Sequence, residues 1–324
     1  ADEDGKRFLA APTIEKAIIH FVDDDFYASM DIKGPDLGLG GGKFVIATRS
    51  DKDDYANPGT DVKKLGLPKS DGQGFKINFG LKDLFDANFS FADDGEDIID
   101  TKDFAFKADA SLKAVENLDL YAGIGYSTFE EEFAFAAKAS YKVDLGDMYL
   151  RPSVGFSFKD DTKKLAAAVF FGWGDENKEP GFAKFSKPTA DLFNESAGSD
   201  LNIDNKCSNG ASIYLSSDLD ENHSMLVGVY DDTLLGGIVT GLACAADFYI
   251  PSLKKAGDKW MLNAAVKYSN TFDIWTIDAN FGVKTVTYTP NIPGADKETE
   301  TGFLYGFGVS TDNSLIQNTK LYVN

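Results

Sequence analysis

WTIDANFGVK, residues 275–284, decides how this chain folds. Trp275, Ile277, Ala279, Phe281 and Val283 are apolar, and between them stand Thr276, Asp278, Asn280, Gly282 and Lys284. A strand sends successive side chains to opposite faces, so the stretch predicts a strand with one apolar and one polar face. A water-soluble sheet would lay the apolar face on a protein core. A membrane barrel would turn it to lipid and the polar face to a wet lumen.

The same alternation recurs along the chain. Phe75, Ile77, Phe79 and Leu81 share a phase, as do Phe104, Phe106, Ala108, Ala110 and Leu112. It returns at 87–91, 118–126, 133–141, 148–158, 165–173, 211–215, 223–230, 238–248, 260–268, 303–309 and 316–324, with weaker runs at 26–32 and 43–49. About 16 strands follow, many of ~9–12 residues, the length a tilted membrane strand needs. Ordinary strands hold ~5–6 residues. The expected fold is therefore all-β: a transmembrane antiparallel β-barrel over residues 26–324. Residues 1–25 read as an N-terminal extension or plug. Ile14, Ala17, Ile18 and Phe21 have helical spacing there, while Ala17, Ile19 and Phe21 fit a strand.

Short connections near 82–85, 113–117, 145–147, 231–236 and 270–271 alternate with longer acidic ones at 50–74, 92–101, 250–258 and 287–300, the outer-membrane pattern. Residues 175–209, long and polar on the short-turn side, break it, as a long insertion there or as a segment that holds a further hairpin. Pro152 falls inside the 148–158 strand, where a bulge or bend is expected.

Composition narrows the function classes. The 324 residues carry a net charge of −20 and show no basic patch, so no nucleic-acid partner is expected. With 26 Phe, 13 Tyr and 31 Gly against 10 Pro, the chain suits many strands and tight turns. The longest apolar run, LAAAVFFGW at 165–173, is half of the ~18 residues a membrane helix requires. Cys207 and Cys244 form no disulfide framework or metal knuckle. GLGGGKF at 38–44 departs from a phosphate loop at Leu37 and Phe44. His20 and His223 stand apart, the acidic clusters lack calcium-loop spacing, and no GxSxG turn is present. Neither an enzyme nor a cofactor is expected.

The polar phase carries the informative side chains. The candidate pore lining is Lys76, Lys107, Asp109, Lys138, Lys142, Arg151, Asp247, Lys267, Asp278 and Lys284. Adding Lys164, Lys320, Asp103, Asp119 and Asp144 makes nine bases against six acids in phase. Rings of charge set ion preference, so a weakly selective, slightly anion-preferring channel is expected. Tyr126, Tyr141, Trp173, Tyr249, Trp260, Tyr268, Trp275, Tyr305 and Tyr322 lie near strand ends, as interfacial girdles would.

FKINFGLKDLFDANFSFADDGE, NLDLYAGIGYS and GFLYGFGVSTDNSLIQNTKLYVN, within residues 75–324, resemble the carboxy-terminal barrel region of spirochaete major outer sheath proteins and treponemal repeat proteins. The resemblance implies an outer-membrane porin at the cell surface, often a homotrimer, with loops that meet host tissue. It brings no catalytic residues. The function expected is passive diffusion of small polar solutes and ions. The rival readings are an adhesin that displays loops to host matrix proteins and a soluble all-β sugar-binding protein.

Overall fold

The computed structural model describes residues 17–32, 74–93, 104–128, 131–173, 209–220, 223–255, 259–289, 294–311 and 322–323. They form one antiparallel sheet of 17 strands. The strands are β1 (Ala17–Val22), β2 (Phe26–Ile32), β3 (Gly74–Leu81), β4 (Phe85–Asp93), β5 (Phe104–Val115), β6 (Leu118–Ser127), β7 (Glu132–Tyr141) and β8 (Val143–Asp144). Then come β9 (Tyr149–Lys159), β10 (Thr162–Gly172), β11 (Gly210–Ser217), β12 (His223–Asp231) and β13 (Leu242–Ile250). The last are β14 (Trp260–Phe272), β15 (Trp275–Tyr288), β16 (Glu298–Thr311) and β17 (Tyr322–Val323). One short helix, α1 (Leu234–Ile238), follows β12. Each strand pairs with the next in a meander, β7 and β8 both pairing with β9. Among the described residues no pairing joins β1 to β16 or β17.

Tight turns set the register. Asp83, Asn117, Asp160 and Asp273 all have positive φ, between 49° and 64°, in the turns after β3, β5, β9 and β14. Asp and Asn tolerate this left-handed conformation best among non-glycine residues, because their short polar side chains bond locally. The β14–β15 turn therefore lies at Asp273, beyond the expected 270–271, and both strands run longer than their apolar alternation shows. The start of the next strand was also displaced. Ile238 was expected in phase with Leu242, yet residues 234–238 are helical, because the Asp231 carboxylate accepts the N–H groups of Leu234 and Leu235 at 3.0 and 2.7 Å. At the N-terminal end, Ala17–Val22 takes the strand reading rather than the helical one and pairs with Phe26–Ile32. The expected strand at 43–49 and the insertion at 175–209 lie outside the described residues.

Pro152 produces no bulge. Ser140 pairs with Ser153 and Val143 with Leu150, so the register is the same on both sides of the proline. The ladder is simply interrupted where Pro152 has no N–H to donate. That interruption divides β7 from β8, which otherwise form one strand. The register shift falls instead on β5–β6, between Leu112 and Val115.

Burial across the sheet is inverted relative to a soluble protein. Phe281 is 52% exposed, its cross-strand partner Val266 45%, and Tyr305 on the other side 83%. On the opposite face Lys107 is 1% exposed, Asp247 2% and Asn263 0%. One face thus carries exposed apolar side chains, while the other shields charged residues together with apolar ones such as Tyr214, Leu226 and Met261. Aromatic rings on the exposed-phase face meet at both strand ends as well as in mid-strand, where Phe281 stacks on Phe303. Phe75 stacks on Phe91, Phe91 on Phe104, and Phe104 meets Tyr126 edge-on, all at one end of β3–β6. Phe133–Phe158 and Phe248–Trp260 continue at that end. Phe79–Phe85 and Phe171–Trp173 occupy the other.

Candidate functional site

All ten charged candidates lie on the shielded face, because each shares its strand phase or its ring partner. In β3–β5, Lys76 stands opposite Asp31 and Ser90, and Lys107 opposite Ser90 and Gly125. Asp109 stands opposite Asn88, whose Nδ2 donates to Asp109 Oδ2 at 3.3 Å. Lys138 lies 4.9 Å over the Tyr121 ring. Lys142 and Arg151 both lie over Tyr149, at 5.9 and 5.5 Å, and Lys142 also pairs with Asp144 at 2.9 Å. In β13–β15, Asn263 Nδ2 donates to Asp247 Oδ1 at 2.7 Å, and Lys284 is the cross-strand partner of Asn263. Ser269 Oγ donates to Asp278 Oδ1 at 2.6 Å, and Lys267 faces Asn280. The ten fall into two groups, one on β3–β9 and one on β13–β15. Between them β11 and β12 carry no charged residue in this phase.

Tyr121 and Tyr149 stand in the polar phase of the sequence, but their seats on glycines emerge only from the structure. Tyr149 lies against Gly172: a Cβ added there would sit 2.3 Å from the ring. Tyr27 lies against Gly80 and Tyr121 against Gly123 in the same way. Glycine removes the side chain that would hold the ring off the sheet, so the ring lies flat and the cations stack upon it. For Tyr27 and Tyr149 the glycine stands opposite on the neighbouring strand, which needs the register to read, whereas for Tyr121 it lies two residues on in the same strand. Tyr249, expected in an interfacial girdle, lies here as well. It joins Tyr214, Leu226, Met261 and Val286 in a buried apolar cluster on β11–β15. The shielded face is therefore charged on one side and largely apolar over part of the other.

Several buried oxygens of this face have no hydrogen-bond partner among the described residues: Ser90 Oγ, Ser127 Oγ, Tyr121 Oη and Tyr149 Oη. In a dry interior each would cost about 1–3 kcal/mol. Water satisfies such groups in a hydrated one.

At one end of the face, a carboxylate clamp holds the β10–β11 connection. Besides the helix N–H groups, Asp231 Oδ1 accepts Trp173 Nε1 at 2.7 Å. Asn209 and Asp232 exchange two bonds of 2.7 Å. Trp173 and Asn209 flank the long polar segment, so both its ends are fixed to the β12–α1 corner. Asp231→Ala removes the acceptor of four hydrogen bonds, the one from Thr233 Oγ1 long at 3.4 Å, and is expected to cost about 2–4 kcal/mol. Urea unfolding followed by tryptophan fluorescence measures it, with Asp218→Ala in an exposed turn as the control.

Among the described residues, no three His, Cys, Asp or Glu side chains are grouped to hold a metal. No described helix is long and apolar enough to cross a membrane, which says nothing of strands. No family model matches the chain, and neither a curated protein nor a solved structure does.

Proposed function

We propose that the sheet closes into an outer-membrane β-barrel of about 16 strands and acts as a porin. The observation that carries this reading is the inverted burial: exposed Val266, Phe281 and Tyr305 on one face, shielded Lys107, Asp247 and Asn263 on the other. In water such a sheet would expose large contiguous apolar surface and bury charge, both unfavourable. In a bilayer the same arrangement is favourable, because lipid covers the apolar face and a wet lumen solvates the polar one. Closure is required there, since an open edge in hydrocarbon leaves backbone groups unpaired.

Strand parity supports closure. With β7 and β8 taken as one strand, β17 is the sixteenth, and it runs antiparallel to β1. An even count allows the two edges to pair. Strand length supports it too. From Trp260 to Phe272, β14 rises by about 30 Å along the membrane normal at a tilt of ~40°, which matches the hydrocarbon thickness. The aromatic rings at both strand ends then sit at the two interfaces. The buried hydroxyls of Ser90, Ser127, Tyr121 and Tyr149 would be satisfied by ordered water within a hydrated wall. The resemblance to spirochaete outer sheath porins points the same way.

The mechanism is passive diffusion. Long side chains lie along the wall, on glycines and rings, and leave the centre to water and small polar solutes. Mixed charge makes the pore weakly selective. Planar-bilayer recording tests this: stepwise currents in near-equal multiples are expected. A silent bilayer, with insertion confirmed by flotation and protease protection, would overturn the porin reading and favour a filled barrel that displays its loops.

A further inference from the structure

The charges of the inner wall are not mixed evenly around the sheet. On β3–β10, the Lys and Arg residues in the shielded phase, with Lys113 held to Asp86 at 3.9 Å, number eight against five Asp or Glu. On β13–β16 the same phase holds two lysines, Lys267 and Lys284, against four carboxylates, Asp247, Asp278, Glu298 and Glu300. The first arc thus has an excess of three cations and the second an excess of two anions, and Asp31 of β2 stands opposite Lys76 at their other junction. The uncharged inner residues of β11 and β12, including Ser212, Tyr214, Leu226 and Gly228, separate the arcs on one side. Ion pairs within an arc, such as Lys159–Glu132 at 2.9 Å, cancel locally and leave each excess unchanged.

We propose that the pore carries an electric field across its lumen, from the β3–β10 wall to the β13–β16 wall, and that it favours dipolar solutes, above all small zwitterions. The proposal rests on the closed-barrel porin reading, which sets the two arcs face to face. Low-dielectric walls focus such a field. A zwitterion turns its carboxylate to the cationic arc and its ammonium to the anionic arc, and offsets part of its lost hydration. A neutral isomer of equal size gains much less. A simple anion or cation gains at one wall and loses at the other, which leaves ion selectivity weak.

Proteoliposome swelling with glycine and its uncharged isomer glycolamide separates the possibilities. Glycine is expected to enter about threefold faster than glycolamide through the wild-type pore. Lys76→Glu combined with Arg151→Glu turns the excess of three cations into an excess of one anion. That variant is expected to bring the ratio near one, by slowing glycine relative to glycolamide. Asp278→Lys with Glu300→Lys removes the field from the opposite arc and is expected to do the same, which guards against a folding defect in either variant. Equal rates of the two isomers through the open wild-type pore would overturn the proposal alone. No swelling with either isomer would overturn the porin reading and the proposal with it.

Discussion

Val266→Arg is expected to destabilise the protein in phospholipid vesicles by about 2–4 kcal/mol, the cost of arginine near the bilayer midplane on the lipid face of a barrel. Val266 is the central residue of β14, is 45% exposed, and lies beside Phe281. The charge would stand in hydrocarbon with no counter-ion. At 1.4 kcal/mol per decade, this lowers the folded-to-unfolded ratio roughly 30- to 700-fold. Ser269→Arg, three positions on and in the opposite phase, puts the same group beside Asp278. Its expected cost is below about 1 kcal/mol. Urea titration in vesicles, followed by the fluorescence of Trp260 and Trp275, compares the two. A soluble sheet reverses the order, because there Val266 faces water.

Gly241→Val should be the most damaging glycine substitution in the described chain. Gly241 has φ +84°, and a Cβ there would lie 2.0 Å from the carbonyl oxygen of Ser269. That backbone cannot retreat, because Ser269 N–H donates to Gly241 O at 2.9 Å and fixes the first rung of β13–β14. A left-handed β-branched residue alone costs about 1–3 kcal/mol, and the forced separation of the strands adds to it, so at least about 3 kcal/mol is expected. Gly146→Ala is the matched control. It has φ +82° with nothing within 4 Å of the added carbon. Its cost is conformational only, about 1–2 kcal/mol. The difference between the two variants, read from the same unfolding curves, measures the close approach at β13–β14.

Much of this architecture was legible in the sequence because a period of two is a strong local signal. Phe104, Phe106, Ala108, Ala110 and Leu112 share one face as the alternation requires, and the ten charged candidates share the other. What alternation cannot give is where a strand stops. The turn at Asp273 and the helix at Leu234–Ile238 depend on a left-handed residue and on a carboxylate three and four positions upstream, features of single side chains rather than of a period. The sheet holds 17 strands where about 16 were expected. Ala17–Val22 supplies a strand that its ambiguous spacing left open. Pairing across strands was invisible as well, so the rings over Gly80 and Gly172 could not be foreseen. Neither could the apolar cluster of Tyr214, Leu226, Tyr249, Met261 and Val286. Each depends on which residues stand opposite one another.

The central claim is that lipid covers the Trp275 face and water the Asp278 face. Spin labels at successive positions from 276 to 283, on a background without Cys207 and Cys244 and reconstituted in vesicles, test it most directly. Collision rates with oxygen report lipid, and rates with a polar nickel complex report water. The account expects a two-residue period: oxygen contact high at Ile277, Ala279, Phe281 and Val283, nickel contact high at Thr276, Asp278, Asn280 and Gly282. A profile with no period, or one with nickel reaching Phe281 while Asn280 is sheltered from both reagents, would contradict it.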